Sequence, residues 1–181
     1  RDATVLDVAT GSADIPVALY RWGVRNGRAF EVTACDVSDD VLVEARRVVG
    51  DLPVQVVAAD ASALPWLDQS FDVGLCSLAL HHFEPERAAL VLRELWRVAR
   101  RAVVVTDLTR GYPAYAGTWL ATRTVARNRL TRHDGPLSVL RAYTPEELLA
   151  WARAAGLHEP VVRRAPFFRQ VLVATRFGLP A

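Results

Sequence analysis

Five short apolar runs alternate with amphipathic stretches, and this order constrains the fold more than any other feature of the chain. Thr4-Val5-Leu6-Asp7-Val8, Phe30 to Cys35, Val54 to Ala58, Phe71 to Ser77 and Ala102 to Thr106 read as strands buried on both faces. Between them the punctuation is helical. Gly11-Ser12-Ala13 reads as a turn, after which a helix with Pro16 in its first turn is expected to run to Arg25 and stop at Asn26-Gly27. Ser38 is expected to cap a second helix through Val49, with Asp39 and Asp40 at its positive pole. Glu84 to Ala99 reads as a third, carrying Leu92, Leu95, Trp96 and Val98, with Arg100 and Arg101 at its negative pole. Strands joined by helices imply a parallel sheet with right-handed crossovers.

The end of the chain departs from that rhythm. Thr144-Pro145-Glu146-Glu147 forms a capping box and opens a helix ending at Gly156. Two strands follow, near His158 to Arg164 and Phe168 to Thr175. Only Ala165-Pro166 and a neighbour separate them, too few residues for a crossover, so one of them is antiparallel. The expected fold is α/β: a Rossmann-like three-layer sandwich whose seven-stranded, mostly parallel sheet has one antiparallel strand in the C-terminal hairpin. Residues 1–181 are expected to form a single domain, with 108–142 as a lid-like insertion after the fifth strand. The chain holds no methionine and enters a core strand almost at once, so a preceding segment is expected.

Composition narrows the function. Hydrophobic residues make up 51% and charged residues 23%, an ordinary globular balance. No apolar run is long enough to span a bilayer and no secretory signal opens the chain, which gives a cytoplasmic expectation. Peripheral membrane contact stays open. A formal net charge of only +2 requires no nucleic-acid partner. Cys35 and Cys76 lie in apolar runs and read as reduced, buried thiols; no Cys/His cluster has metal-ligand spacing.

In open α/β sheets ligands bind at the carboxyl ends of the strands. Three of those ends carry an acid or a glycine turn: Asp7 to Gly11, Asp36 and Asp60. An acid after the second strand suits both hydroxyls of a ribose, and one after the third suits an adenine amino group. Dinucleotide binders need a G-x-G-x-x-G loop to cradle pyrophosphate. Here the loop is Ala9-Thr10-Gly11-Ser12-Ala13-Asp14. A carboxylate at Asp14 repels pyrophosphate but tolerates the ammonium of an amino-acid moiety. S-adenosyl-L-methionine carries that ammonium, a sulfonium and no phosphate, so the charge pattern favours it over a nicotinamide cofactor.

Val5 to Asp14 resembles the first motif of class I S-adenosylmethionine-dependent methyltransferases, nearest the ubiquinone/menaquinone C-methyltransferase branch. Leu64 to Val73 is similar to the stretch entering that family's fourth strand, Ser77 to Phe83 to the segment leaving it, and Glu94 to Val98 to the helix before the fifth. Ala13 stands where the family usually has a glycine, and Arg100-Arg101 replaces its Pro-Gly-Gly turn. The resemblance implies in-line methyl transfer to a small molecule, aromatic or polyketide-like, with S-adenosyl-L-homocysteine as product. It implies cofactor contacts from Asp7, Ala9, Gly11, Asp36, Val37, Asp60, Ala61 and Leu78, with Leu78 near the sulfonium.

A base at the acceptor would come from His81, His82, Asp107 or His133. Tyr112, Tyr115 and Trp119 are candidates for an aromatic acceptor pocket, and Arg123, Arg127, Arg129 and Arg132 form a basic stretch. Ser77-Leu78-Ala79-Leu80 lacks the Asn/Asp-Pro-Pro-aromatic segment of enzymes that methylate base amines, so no nucleic-acid substrate is expected. Two rivals remain at this point: a cofactor-binding partner subunit without its own chemistry, and a nicotinamide-dependent oxidoreductase.

Overall fold

The computed structural model describes residues 2–124 and 137–177. Its seven-stranded sheet runs in the order β3-β2-β1-β4-β5-β7-β6. The strands are β1 (Ala3–Val8), β2 (Phe30–Asp36), β3 (Val54–Ala58), β4 (Phe71–Ser77), β5 (Ala99–Leu108), β6 (Val161–Ala165) and β7 (Arg169–Thr175). The helices are α1 (Asp14–Arg25), α2 (Asp39–Val49), α3 (Pro85–Val98), α4 (Tyr112–Thr124) and α5 (Pro145–Ala154). β7 is antiparallel to both its neighbours, and every other pairing is parallel. The expected sandwich with one reversed strand is therefore the fold.

Two apolar layers hold the helices. Val32, Ala34 and Val54 of the sheet pack with Val17 of α1 and with Ala45 and Val49 of α2. On the other face α3 presents Ala88, Val91, Leu92, Leu95 and Val98, all fully buried. Their spacing makes one helical stripe. Each leucine there contributes about 1.5–3 kcal/mol by leaving water. Leu148 and Ala152 of α5 join the same layer. The expected capping box is present: Thr144 Oγ1 accepts from Glu147 N–H and the Glu147 carboxylate accepts from Thr144 N–H.

Two expectations need correction. Arg100 and Arg101 do not end the third helix. β5 begins at Ala99, directly after Val98, and both arginines are strand residues that reach the Asp72 carboxylate at 2.8 and 3.3 Å. That buried carboxylate also accepts from Thr4 N–H and Oγ1–H, so it ties β1, β4 and β5 together. The segment after β5 contains α4 and a helical stretch at 137–141. The last strand starts at Arg169 rather than Phe168, because Phe167 and Phe168 both adopt left-handed backbone, φ 61° and 56°.

Candidate active site

The strand order turns back between β1 and β4, and the loops leaving those two strands flank the carboxyl edge there. A cleft of about 410 Å³ opens at this point. Ala9, Gly11, Asp36, Val37, Asp60, Ala61 and Leu78 all line it. Seven of the eight expected cofactor contacts thus share one cavity, of a size suited to a small ligand. The eighth, Asp7, lies beneath the loop at 1% exposure.

The loop gets its shape from three left-handed residues, Ala9, Gly11 and Ala13, at φ 53°, 58° and 62°. Ala13 keeps the backbone a glycine would take and is fully buried against Val17 and Ala34. A Cβ built on Gly11 would meet nothing within 4 Å, so its backbone faces open space. Thr10 Oγ1 donates to Asp7 Oδ2 at 2.6 Å. Asp7 Oδ1 has no partner among the described residues. Burial pushes the Asp7 carboxyl up to about 7; the Thr10 hydrogen bond opposes this and the nearby Asp36 charge adds to it. A buried carboxylate oxygen with no donor is costly unless a ligand supplies one. Asp14 does not line the cleft; it accepts from Ser12 Oγ at 2.5 Å in the first turn of α1.

Asp36 braces the cleft from β2. Its Oδ2 accepts from Gly11 N–H and its Oδ1 from Ser38 N–H, each at 3.1 Å. Each oxygen keeps a lone pair for another donor. Asp60 accepts from Ser62 N–H and Oγ–H and pairs with Arg87, and these bonds hold its carboxyl below the usual range. Arg87 lies 5.6 Å from the Phe83 ring, and both side chains form cleft wall. The sequence reading missed them. Their signal was weak, since an arginine in the first turn of a helix is ordinary surface chemistry.

The two neighbouring histidines separate. Both sit in a one-turn 3-10 helix, Leu80–His82, after β4. His82 lines the cleft; burial lowers its pKa, and the adjacent His81 lowers it further. His81 is 6% exposed. Its Nδ1 lies 2.6 Å from Asp107 Oδ1, and its N–H donates to Asp107 Oδ2. Leu108 N–H donates to the same carboxylate. Asp107 is therefore occupied in holding His81 and is no free base. The two imidazole rings stand 4.2 Å apart. His133, Arg127, Arg129 and Arg132 lie outside the described residues. Tyr112, Tyr115 and Trp119 line no part of the cleft, and Arg123 stacks on Trp119 at 3.9 Å. Among the described residues no group of acids, histidines and cysteines is arranged to hold a metal.

Comparison with known proteins bears on the same residues. The family described as "Methyltransferase domain" matches residues 5–102. A demethylmenaquinone methyltransferase from Roseiflexus is 31% identical over 170 residues, covering 87% of this chain and 69% of that protein. One from Clavibacter sepedonicus is 31% identical over 164 residues, covering 84% of this chain and 64% of the relative. Among solved structures, a SAM-dependent methyltransferase from Aquifex aeolicus superposes with a TM-score of 0.70 at 20% identity, covering 96% of this chain and 81% of that one.

Proposed function

Because the chain belongs to the methyltransferase-domain family, in the class I S-adenosylmethionine-dependent branch near the quinone C-methyltransferases, we propose that it methylates a small aromatic acceptor of the quinol class from the cleft between β1 and β4. When bound, S-adenosylmethionine supplies a sulfonium methyl group and leaves as S-adenosylhomocysteine. One observation carries the reading: the buried Asp7 Oδ1 without a donor, beside a cleft with an acid at each of two further strand ends. These residues suit that cofactor. Asp7 would take the ammonium of its amino-acid end, and the open Gly11 backbone would lie along it. The free lone pairs of Asp36 would take the ribose diol. Asp60 and Ala61 would meet the adenine, with Val37 and Leu78 as apolar walls. This division suits a ligand with a charged end, a diol and a flat ring, and it offers no cradle for pyrophosphate. Neither an oxidoreductase nor a chemically silent subunit is favoured by any feature of the cleft.

At the acceptor, His82 would receive the hydroxyl proton as the ring carbon takes the methyl group; that carbon would then lose its hydrogen as a proton and the hydroxyl would be restored. Its lowered pKa keeps the imidazole neutral, as a base must be. His81 and Asp107 would position it from behind. The His81–Asp107 pair favours a second reading, since a carboxylate on Nδ1 is how an oriented base is commonly held. In that case His81 accepts the proton through Nε2.

Calorimetry with S-adenosylhomocysteine tests the cofactor. Binding of NAD(H) with none of S-adenosylhomocysteine would overturn the reading. Methyl transfer from radiolabelled S-adenosylmethionine to a panel of quinols and phenols tests the acceptor. His82→Ala is expected to slow turnover by at least about 100-fold and remove the acidic limb of the pH profile. If His81→Ala does this and His82→Ala does not, the second reading is correct.

A further inference from the structure

At the far end of the same sheet edge, β6 and β7 are joined by Pro166-Phe167-Phe168. Phe167 and Phe168 both have positive φ. That backbone suits glycine or asparagine, and a bulky residue pays about 1–2 kcal/mol there. Phe168 has a compensating contact: its ring closes on Gly117 of α4 so tightly that a Cβ on the glycine would come within 2.7 Å of it. No such contact to Phe167 is present among the described residues, and it stands 88% exposed. Tyr112, at the start of α4, is 92% exposed. Between them runs a groove of about 470 Å³, with Gly111, Pro113, Arg164, Phe167 and Arg169 among its walls. Among the described residues little covers this strained ring, so its exposure leaves it open to a contact that they do not supply.

The charges around it are positive. Arg163, Arg164 and Arg169 are exposed on β6 and β7. None of them has a carboxylate within ion-pair distance among the described residues. The neighbouring acids are Glu147, which is paired with Arg110, and Glu146, which feels the charge of Arg164. Protruding aromatics ringed by arginines are the chemistry of an interface with lipid headgroups: rings enter the acyl boundary and guanidiniums hold phosphates. A protein partner would match the aromatics equally well, but it would leave the guanidiniums of Arg164 and Arg169, which share the groove wall, needing acids placed to suit. An anionic bilayer supplies them anywhere.

We propose that the β6–β7 hairpin tip, with Phe167 and Tyr112 as apolar anchors and Arg164 and Arg169 beside them, docks on an anionic phospholipid surface. It would bring the carboxyl edge of the sheet to the bilayer, with no membrane-crossing helix among the described residues. The inference is independent of methyl transfer.

Flotation with vesicles tests it. The full chain is expected to float with phosphatidylglycerol-containing vesicles and to stay behind with phosphatidylcholine alone. Phe167→Gly should cut partitioning about tenfold, while the unfolding temperature holds or rises because strain is relieved. Phe167→Asn, also suited to positive φ, should do the same. Arg164→Gln and Arg169→Gln should each cut it about fivefold and flatten the salt dependence. Failure to float with anionic vesicles overturns the proposal, as does flotation that Phe167→Gly leaves unchanged. Displacement by millimolar inorganic phosphate without effect of Phe167→Gly would instead make the groove a soluble-anion site.

Discussion

The carboxyl edge of the sheet has two halves built in different ways. Over β1, β2 and β3 the walls are short turns leaving parallel strands, and each turn is tied to its neighbour by a backbone donor and a carboxylate: Gly11 to Asp36, Ser38 to Asp36, Ser62 to Asp60. Over β5 and β7 the walls come from α4 and from a strained hairpin, and they present arginines and rings rather than tied acids. The first half is a rigid frame whose polar groups are fixed before any ligand arrives. The second is a surface. The family match follows the same division, covering 5–102 and stopping within β5. A cofactor common to many enzymes needs the same frame each time, whereas the part of the edge outside the match is free to differ.

The Asp72 clamp gives the largest expected effect, because it joins the halves at the opposite edge of the sheet. Asp72→Ala strands Thr4 N–H and releases Arg100 and Arg101, at a cost of about 3 kcal/mol in urea unfolding. The Arg100 ion pair holds the Asp72 carboxyl well below the usual range. Its stabilisation is therefore present at neutral pH and is lost on acidification, below about pH 4. A parent protein and an Asp72→Ala variant with the same acid-unfolding profile would show that the halves are not joined there.

Next comes Asp36→Ala, confined to the frame. It removes the brace on Gly11 and the proposed ribose acceptor together, and should weaken S-adenosylhomocysteine binding by about 2 kcal/mol in calorimetry. Vesicle flotation should not change. A variant that loses both would break the separation of the halves.

Asp7 sharpens the contrast through pH. Its carboxyl is raised from 3.8 to about 7 in the folded chain, so the native state holds a proton that the unfolded chain has released across that interval. Stability should fall as pH rises from about 4 to about 7 and level off above it. An ammonium beside Asp7 favours the ionised form, so cofactor affinity should rise over the same window, by at most about tenfold per pH unit. Asp7→Asn should remove both slopes. A binding profile that stays flat in the parent would separate Asp7 from the ammonium.

The two halves were also unequally legible in the sequence. Strand ends, acids and caps in the first half are local signals: Ser38, Asp36 and the Ala9-to-Asp14 loop act on residues close by in the chain or on the adjoining strand, and period and turn chemistry reveal them. Asp107 and His81 are 26 residues apart and meet only because β4 and β5 are neighbours. Nothing in either stretch announces the pair. Arg100 and Arg101 read as helix-end charges because Asp72, their partner, lies 28 and 29 residues earlier in sequence. Phe168 reads as strand because aromatics favour strands, and only the backbone shows it turning.

The smallest effect concerns the loop itself. Ala9 lines the cleft at φ 53°, where an L side chain is strained and glycine is not. Ala9→Gly relieves about 1–2 kcal/mol of backbone strain and costs about 0.5–1 kcal/mol in the freedom of the unfolded chain. The net is a gain of about 0.5 kcal/mol, visible as a small rise in unfolding temperature, with S-adenosylhomocysteine affinity within about twofold of the parent. That result would mean the loop's path is imposed by Asp36 and the flanking strands, with the alanine merely tolerated. A fall in affinity with a gain in stability would mean instead that the methyl of Ala9 presses on the ligand, and that the frame spends some of its own stability to hold it.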